Sequence, residues 1–246
     1  MYRYKIIVEY DGSPFAGWQR QNGLDTIQQR LEETLLSLSK KPVILYGAGR
    51  TDAGVHALRQ TAHFDMERDI DCFRVLECMN AHLLNIPIGV LSVEKVTEDF
   101  DARFSAIERT YIYKILNRRT KPCIDAQKVW HVIQKLDEGK MNTAAQCLVG
   151  KHDFSSFRAA GCQSKSPIKT ANNIAVERKG DIIFLEISAK SFLYHQVRNI
   201  VGSLVLVGIE KWSRENFEDL LIQKDRKKAG ITAPACGLYL SNVIYP

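Results

Sequence analysis

The sequence predicts an α+β fold of two similar subdomains, residues 1–105 and 106–246, with mostly antiparallel sheets flanked by helices. Three observations lead there. Apolar residues alternate at period two and then recur at helical period, segment after segment, without long linkers or low-complexity tracts. Hairpin-like strand pairs interrupt this alternation, most plainly 168–177 and 181–189 joined through Lys179-Gly180, which favours antiparallel pairing over a doubly wound parallel sheet. The chain has 246 residues, 45% of them hydrophobic, enough for one large core or two small ones. Each half reads as roughly β-α-β-α-β, although no sequence repeat marks them.

The elements follow in order. Tyr4, Ile6, Val8 and Tyr10 share one face of a first strand, which stops at Asp11-Gly12. Thr26 and Gln29 stand at capping-box spacing before a helix carrying Ile27, Leu31, Leu35 and Leu38. Val43-Ile44-Leu45 reads as a short strand leading into Gly47-Ala48-Gly49-Arg50-Thr51-Asp52-Ala53-Gly54. Three glycines in eight residues there demand a turn with close backbone approach. A strand resumes at 61–64. Cys72, Val75, Leu76, Met79 and Leu83 form the stripe of a second helix, and 90–96 is strand-like.

Beyond the crossing at 99–104, Tyr111, Tyr113 and Ile115 lie on one face of a strand over 111–116. A helix is expected over 142–149, ended by Gly150, and a very apolar one over 192–208. Ser213 caps a further helix bearing Phe217, Leu220 and Leu221. Val243-Ile244-Tyr245 ends the chain as a strand.

Charge and cysteine usage bound the function. The formal net charge is +6, and the pI about 8.9. That balance suits a polyanionic partner without requiring one. Six cysteines form no C-x-x-C and no zinc spacing, which reads as reduced, mostly buried thiols of a cytosolic protein. The N-terminus lacks the pattern of a signal peptide, and no apolar stretch reaches membrane-spanning length.

Three features carry chemistry. The glycine-rich loop lacks the ending of a nucleotide-binding loop, and a turn aspartate is commonly structural. Even so, Asp52 stands among Arg50, Thr51 and His56 on a backbone that glycines shape. In the apolar helix, Arg198 is the lone cation, and a buried guanidinium needs an anionic partner. Glu186 and Glu210 are each 12 positions away (198 − 186 and 210 − 198), so the partner comes from elsewhere. Asp52 is one candidate; snorkelling to solvent or a grip on phosphate are the alternatives. Third, Tyr111 and Tyr113 follow Arg109 on a strand with Arg118, Arg119 and Lys121 beyond, a pattern that suits base stacking as well as a half-buried core. Lys224, Arg226, Lys227 and Lys228 form a second basic cluster, either a solvated face or a seat for a phosphate backbone. His56, His63 and Asp65 lack a diagnostic metal spacing, and no nucleophile elbow is present.

The segment Gly49-Arg50-Thr51-Asp52-Ala53-Gly54-Val55-His56-Ala57 resembles the catalytic motif of the tRNA pseudouridine synthase A family. Other segments resemble further blocks of that family in the same order: Tyr10-Asp11-Gly12, Phe15-Ala16-Gly17-Trp18-Gln19, Thr26-Ile27-Gln28, Arg109-Thr110-Tyr111-Ile112-Tyr113, the stretch from His152 to Phe157, the stretch from His195 to Gly202, and Pro234-Ala235 with Gly237-Leu238-Tyr239-Leu240. The match spans nearly the whole chain.

The resemblance implies the pseudouridine synthase fold and a cytoplasmic homodimer that clamps tRNA. It implies isomerisation of uridine to pseudouridine at positions 38, 39 and/or 40 of the anticodon arm, with no metal, small-molecule cofactor or membrane involved. By the same resemblance Asp52 is the nucleophile, Arg198 pairs with it, Tyr111 stacks on the target uracil, Arg50 positions RNA and Leu238 lines the pocket. Two departures stand out: Gln196 where methionine is expected and Arg59 where glycine is common. Attack at uracil C6, attack at ribose C1′ and removal of the C2′ proton are all open to Asp52. Two other readings stand beside this one: a non-catalytic RNA-binding protein, and a metal-dependent phosphoesterase using Asp52, His56 and His63.

Overall fold

The structure, a computed structural model, describes residues 1–246. Strand β1 (Tyr2–Tyr10) alternates as expected: Tyr4, Ile6, Val8 and Tyr10 are all buried. Helix α1 (Ile27–Ser39) begins at Thr26, whose hydroxyl accepts the Gln29 N–H at 3.4 Å. The reciprocal half of the capping box is not made, because Gln29 Nε2 donates to Glu33. Ile27, Leu31 and Leu35 are fully buried.

The strand expected at 43–45 does not form; β2 is only Tyr46–Gly47. The reason lies on α1. Glu32 accepts the Leu45 N–H and Gln28 donates to the Leu45 carbonyl, so side chains satisfy the backbone that a neighbouring strand would otherwise pair. Strand β3 (His56–Met66) runs straight out of the glycine-rich loop and is longer than the 61–64 expected. It pairs antiparallel with β1 from Tyr2↔Met66 to Tyr10↔Ala57. Helix α2 (Cys72–Leu83) is capped by Asp71 and buries Val75, Met79 and Leu83. Strand β4 (Ile88–Val96) pairs antiparallel with β1.

A second set of elements follows. Strand β5 (Glu108–Leu116) takes a short parallel partner in β6 (Trp130–His131). Helix α3 (Glu138–Ala145) starts four residues before the expected 142 because Asp137 caps it. It tightens into a 3₁₀ turn at Gln146–Leu148, ahead of Gly150 at φ +101°. Strands β7 (Gly150–Asp153), β8 (Ile168–Lys179) and β9 (Ile182–Ala189) complete an antiparallel order β5-β9-β8-β7. Gly180, at φ +60°, turns the β8–β9 hairpin.

Helix α4 (Gln196–Gly208) is shorter than the 192–208 expected. The backbone just before it is satisfied elsewhere: Gln196 Oε1 accepts the Leu193 N–H, and the Tyr194 carbonyl accepts the Ala159 N–H. His195 adopts a left-handed conformation, φ 57°, that breaks the helix there. Every residue of α4 except Arg198 and Leu206 is buried, as the all-round apolar pattern requires. Helix α5 (Arg214–Gln223) carries a full capping box between Ser213 and Asn216.

The last strand, β10 (Leu238–Ile244), pairs parallel with β3 through Tyr239↔His56 and Leu240↔Ala57. The chain therefore groups into two compact units, Met1–Ile107 with Tyr239–Pro246, and Glu108–Leu238. This corrects the sequence reading, which gave 239–246 to the second subdomain. The fold is α+β, and no helix is long and apolar enough to cross a membrane.

Candidate active site

Asp52 lies in the turn that precedes β3. Its carbonyl accepts the Val55 N–H at 3.1 Å, and Gly54, at φ +75°, completes the turn. Four contacts fix the loop from within its own unit. Ala48 N–H donates to Thr61 O at 2.8 Å, and Trp18 N–H to Thr51 O at 3.0 Å. Gln60 Nε2 donates to Gly49 O at 2.8 Å, and the Tyr10 and Thr51 hydroxyls share a buried hydrogen bond of 2.8 Å.

Two glycines let the chain come this close. A Cβ on Gly12 would stand 2.0 Å from the Val55 carbonyl oxygen. Gly17, at φ +100°, would place one 2.7 Å from Thr51 O. The N-terminal blocks around Tyr10-Asp11-Gly12 and Gly17-Trp18 are thus the floor of the aspartate loop. Asp52 itself is half-buried.

Arg50 is exposed, and its Nε donates to Gln19 Oε1 at 2.8 Å. His56 is buried; its Nδ1 takes the Gly12 N–H at 3.1 Å, with Asp11 Oδ1 also at 3.1 Å, and its ring stacks on Tyr239. His63 is buried too, and its Nδ1 accepts the Ala102 N–H at 3.0 Å. Burial lowers the His63 pKa, and the accepted N–H holds the ring neutral. Both histidines thus bind backbone through Nδ1, and no group of three or more His, Cys, Asp or Glu side chains gathers to hold a metal ion.

In the second unit, Tyr111 stands half-buried on β5, and its ring meets Phe192 edge to face at 5.1 Å. Tyr113, two residues on, is fully buried; its hydroxyl donates to Pro234 O at 2.7 Å, and burial pushes its phenol pKa far up. The strand thus separates a half-exposed tyrosine from a core one. Arg109 is buried and donates to Lys190 O.

Arg198 sits in the first turn of α4 and is half-buried, less enclosed than the apolar pattern of that helix suggested. Its Nε donates to Ala233 O at 2.7 Å, and the Ala233 N–H returns to Arg198 O at 3.1 Å. Leu238 is buried at the start of β10. In the second basic cluster Arg226 turns inward, donating to Gly230 O, Asn199 Oδ1 and Thr232 Oγ1, while Lys224 pairs with Asp153; Lys227 and Lys228 face out. Of the two departures, Gln196 is buried and binds the Leu193 N–H, whereas Arg59 is exposed on β3.

Asp52 and Arg50 therefore belong to the first unit, and Tyr111, Arg198 and Leu238 to the second. A cavity of about 670 Å³, lined by Asp137, Lys140, Glu210, Trp212 and Arg214 among others, contains none of the five. Sequence reasoning assigned no role to Glu32, a buried carboxylate on the apolar side of α1. Its signal was its place one turn after Gln28, between Leu31 and Leu35.

The family described as tRNA pseudouridine synthase matches residues 6–105 and 144–246. Asp52, Arg198 and Leu238 fall inside the matched segments, and Tyr111 between them. Relatives named tRNA pseudouridine synthase A align with the whole chain. The Azorhizobium caulinodans protein is 51% identical over 246 residues, with 95% of its length covered. Those of Maricaulis maris and Bartonella henselae are 48% and 49% identical, with 99% and 100% of their lengths covered. Such identity along the full length leaves one conclusion: the chain belongs to the tRNA pseudouridine synthase family.

Proposed function

We propose that this chain isomerises uridine to pseudouridine at positions 38, 39 and/or 40 in the anticodon arm of tRNA, as a cytoplasmic homodimer without cofactor. The Asp52 loop supports this reading. Its backbone is fixed at four points, yet Asp52 is only half-buried. A rigid backbone under an accessible carboxylate suits a nucleophile that must hold one position through a reaction.

The reaction breaks the N1–C1′ bond, turns the uracil and rejoins it through C5. Atoms balance within the nucleoside: C5 loses a proton and N1 gains one. The target base must first leave its stack, at a cost of a few kcal/mol. Tyr111, its ring angle set by Phe192, stacks on the extruded uracil and keeps the detached base in place. Arg198, tied through Nε to Ala233, takes in this proposal the role of the cation that keeps the Asp52 carboxylate ionised. Arg50 holds the RNA backbone, and Leu238 lines the pocket for the base.

The test uses tRNA carrying tritium at C5 of uridine, since joining through C5 releases it. Asp52→Asn is expected to abolish release while tRNA binding is kept. Near-normal release by that variant sinks the assignment. Nucleoside mapping of the wild-type product reads the position modified.

A further inference from the structure

Two segments that resemble family blocks, around Gln19 and around Gln28, have no part in the chemistry above. The structure joins them to Arg50. On α1, Gln28 and Glu32 lie one turn apart and both are buried. Glu32 Oε1 accepts from Gln28 Nε2 at 2.9 Å and from the Leu45 N–H at 3.1 Å, and Oε2 accepts from Arg20 at 2.9 Å. Gln28 Nε2 also donates to Leu45 O at 3.0 Å. Gln28 Oε1 accepts from Gln19 Nε2 at 2.8 Å and from the Arg20 N–H at 3.0 Å. Gln19 Oε1 in turn accepts from Arg50 Nε at 2.8 Å.

We infer that Glu32, Gln28 and Gln19 are positioning residues that aim the Arg50 guanidinium at the RNA backbone, an inference that rests on the RNA-holding role of Arg50 proposed above. The chain of bonds has a direction. A carboxylate only accepts and a guanidinium only donates, so both amides between them have one permitted orientation. Reversing either would set donor against donor or acceptor against acceptor. The inner end is buried, and each bond polarises the next, so the exposed outer end inherits an order that a surface arginine lacks. Fixing the Nε–H also fixes the plane of the guanidinium, and that plane decides whether a phosphate is met by two parallel bonds or one. A buried carboxylate beneath an apolar stripe would otherwise be costly; here three side-chain and backbone donors satisfy it.

The experiment is a double-variant cycle on the full-length enzyme with intact tRNA, using Gln19→Leu, Arg50→Ala and both together. Gln19→Leu is expected to lower kcat/KM about tenfold, the worth of one hydrogen bond to a charged group. The loss should fall on KM, with the saturating single-turnover rate kept. The double variant should be no worse than Arg50→Ala alone. Gln19→Glu keeps an acceptor for Arg50 Nε but sets its other oxygen against Gln28 Oε1, so it should recover only part of the loss. Full recovery would show that Arg50 needs only the local acceptor and overturn the relay; thermal unfolding confirms that each variant folds. If Arg50→Ala impairs binding but Gln19→Leu is harmless, additive to it, or slows only the saturating rate, the relay is overturned while the role of Arg50 stands. If Arg50→Ala is itself harmless, that role fails and the relay with it.

Discussion

The hydroxyls of Tyr10 and Thr51 meet at 2.8 Å in the buried floor beneath the Asp52 loop. They join the last residue of β1 to the residue before the proposed nucleophile, within one unit. Tyr10→Phe keeps the ring and removes one partner, leaving the Thr51 hydroxyl buried. We expect a stability loss of about 1–2 kcal/mol by denaturant unfolding, with a larger fractional loss of turnover because the loop backbone shifts.

The close approach of Gly17 to the loop gives a sharper expectation. Alanine there faces both a left-handed backbone at φ +100° and the Thr51 carbonyl 2.7 Å from its Cβ. Gly17→Ala should cost at least about 1–3 kcal/mol of stability and most of the activity. Gly23→Ala serves as the control: its backbone is also left-handed, but nothing lies within 4 Å of a Cβ, so its cost is backbone strain alone and turnover should survive. Equal activity in the two variants would refute the packing argument.

Tyr111 separates stacking from proton transfer. Tyr111→Phe should retain single-turnover rate, whereas Tyr111→Ala should lose about 1–3 kcal/mol of stacking. The Phe192 edge contact adds a prediction that the sequence alone did not suggest. Phe192→Ala should weaken tRNA turnover in the same direction as Tyr111→Ala, by freeing the ring it orients. Equal damage from Phe and Ala at 111 would instead mark the phenol as the working group.

Arg198→Lys keeps the charge but has no Nε–H for Ala233 O. Activity should fall while the fold survives, and amide exchange of the 229–233 backbone should quicken. Arg198→Met should harm catalysis more than stability, because a half-buried position in the first turn accepts an apolar chain. Wild-type turnover by the lysine variant would remove Arg198 from the proposed machinery.

Acid sensitivity should be traceable to His63. Burial lowers its folded pKa, so the unfolded chain binds the proton more readily. Its contribution is therefore complete above the unfolded value of about 6.5 and is lost as pH falls from there through the lowered folded value. His63→Asn offers an oxygen near the place of Nδ1 for the Ala102 N–H. It should flatten the stability profile below about pH 6.5, measured by urea midpoints across pH. The carboxylate of Asp65 is depressed first of all by its hydrogen bond with Arg3, so its contribution is lost only at lower pH.

What the sequence shows and what it conceals divide along physical lines. The β1 face, the α1 and α2 stripes and the Ser213 cap were legible because each depends on residues close in the chain. The strand at 43–45 misled because its pairing groups belong to side chains on α1, and α4 was overextended because apolar content continues past the point where His195 turns left-handed. Arg226 read as surface charge because its acceptors, Asn199 and the 230–232 backbone and hydroxyl, are a tertiary matter. Asp52 and Arg50 stand out as candidates through their loop, but the buried partners that hold the loop do not, since hydrogen bonds between distant segments leave no periodic signature.

The parallel pairing of β10 with β3 has a consequence for biosynthesis. Tyr239 and Leu240 register against His56 and Ala57, immediately after the proposed nucleophile's turn, and the Tyr239 ring covers His56. The first unit is therefore discontinuous, with 108–238 emerging from the ribosome between its two parts. An early-synthesised 1–107 segment can form its hairpins and helices but lacks the strand beside the aspartate loop. The nascent chain thus carries an unfinished β3 edge until Tyr239 and Leu240 appear, and messages truncated anywhere upstream yield a protein without the completed loop surroundings.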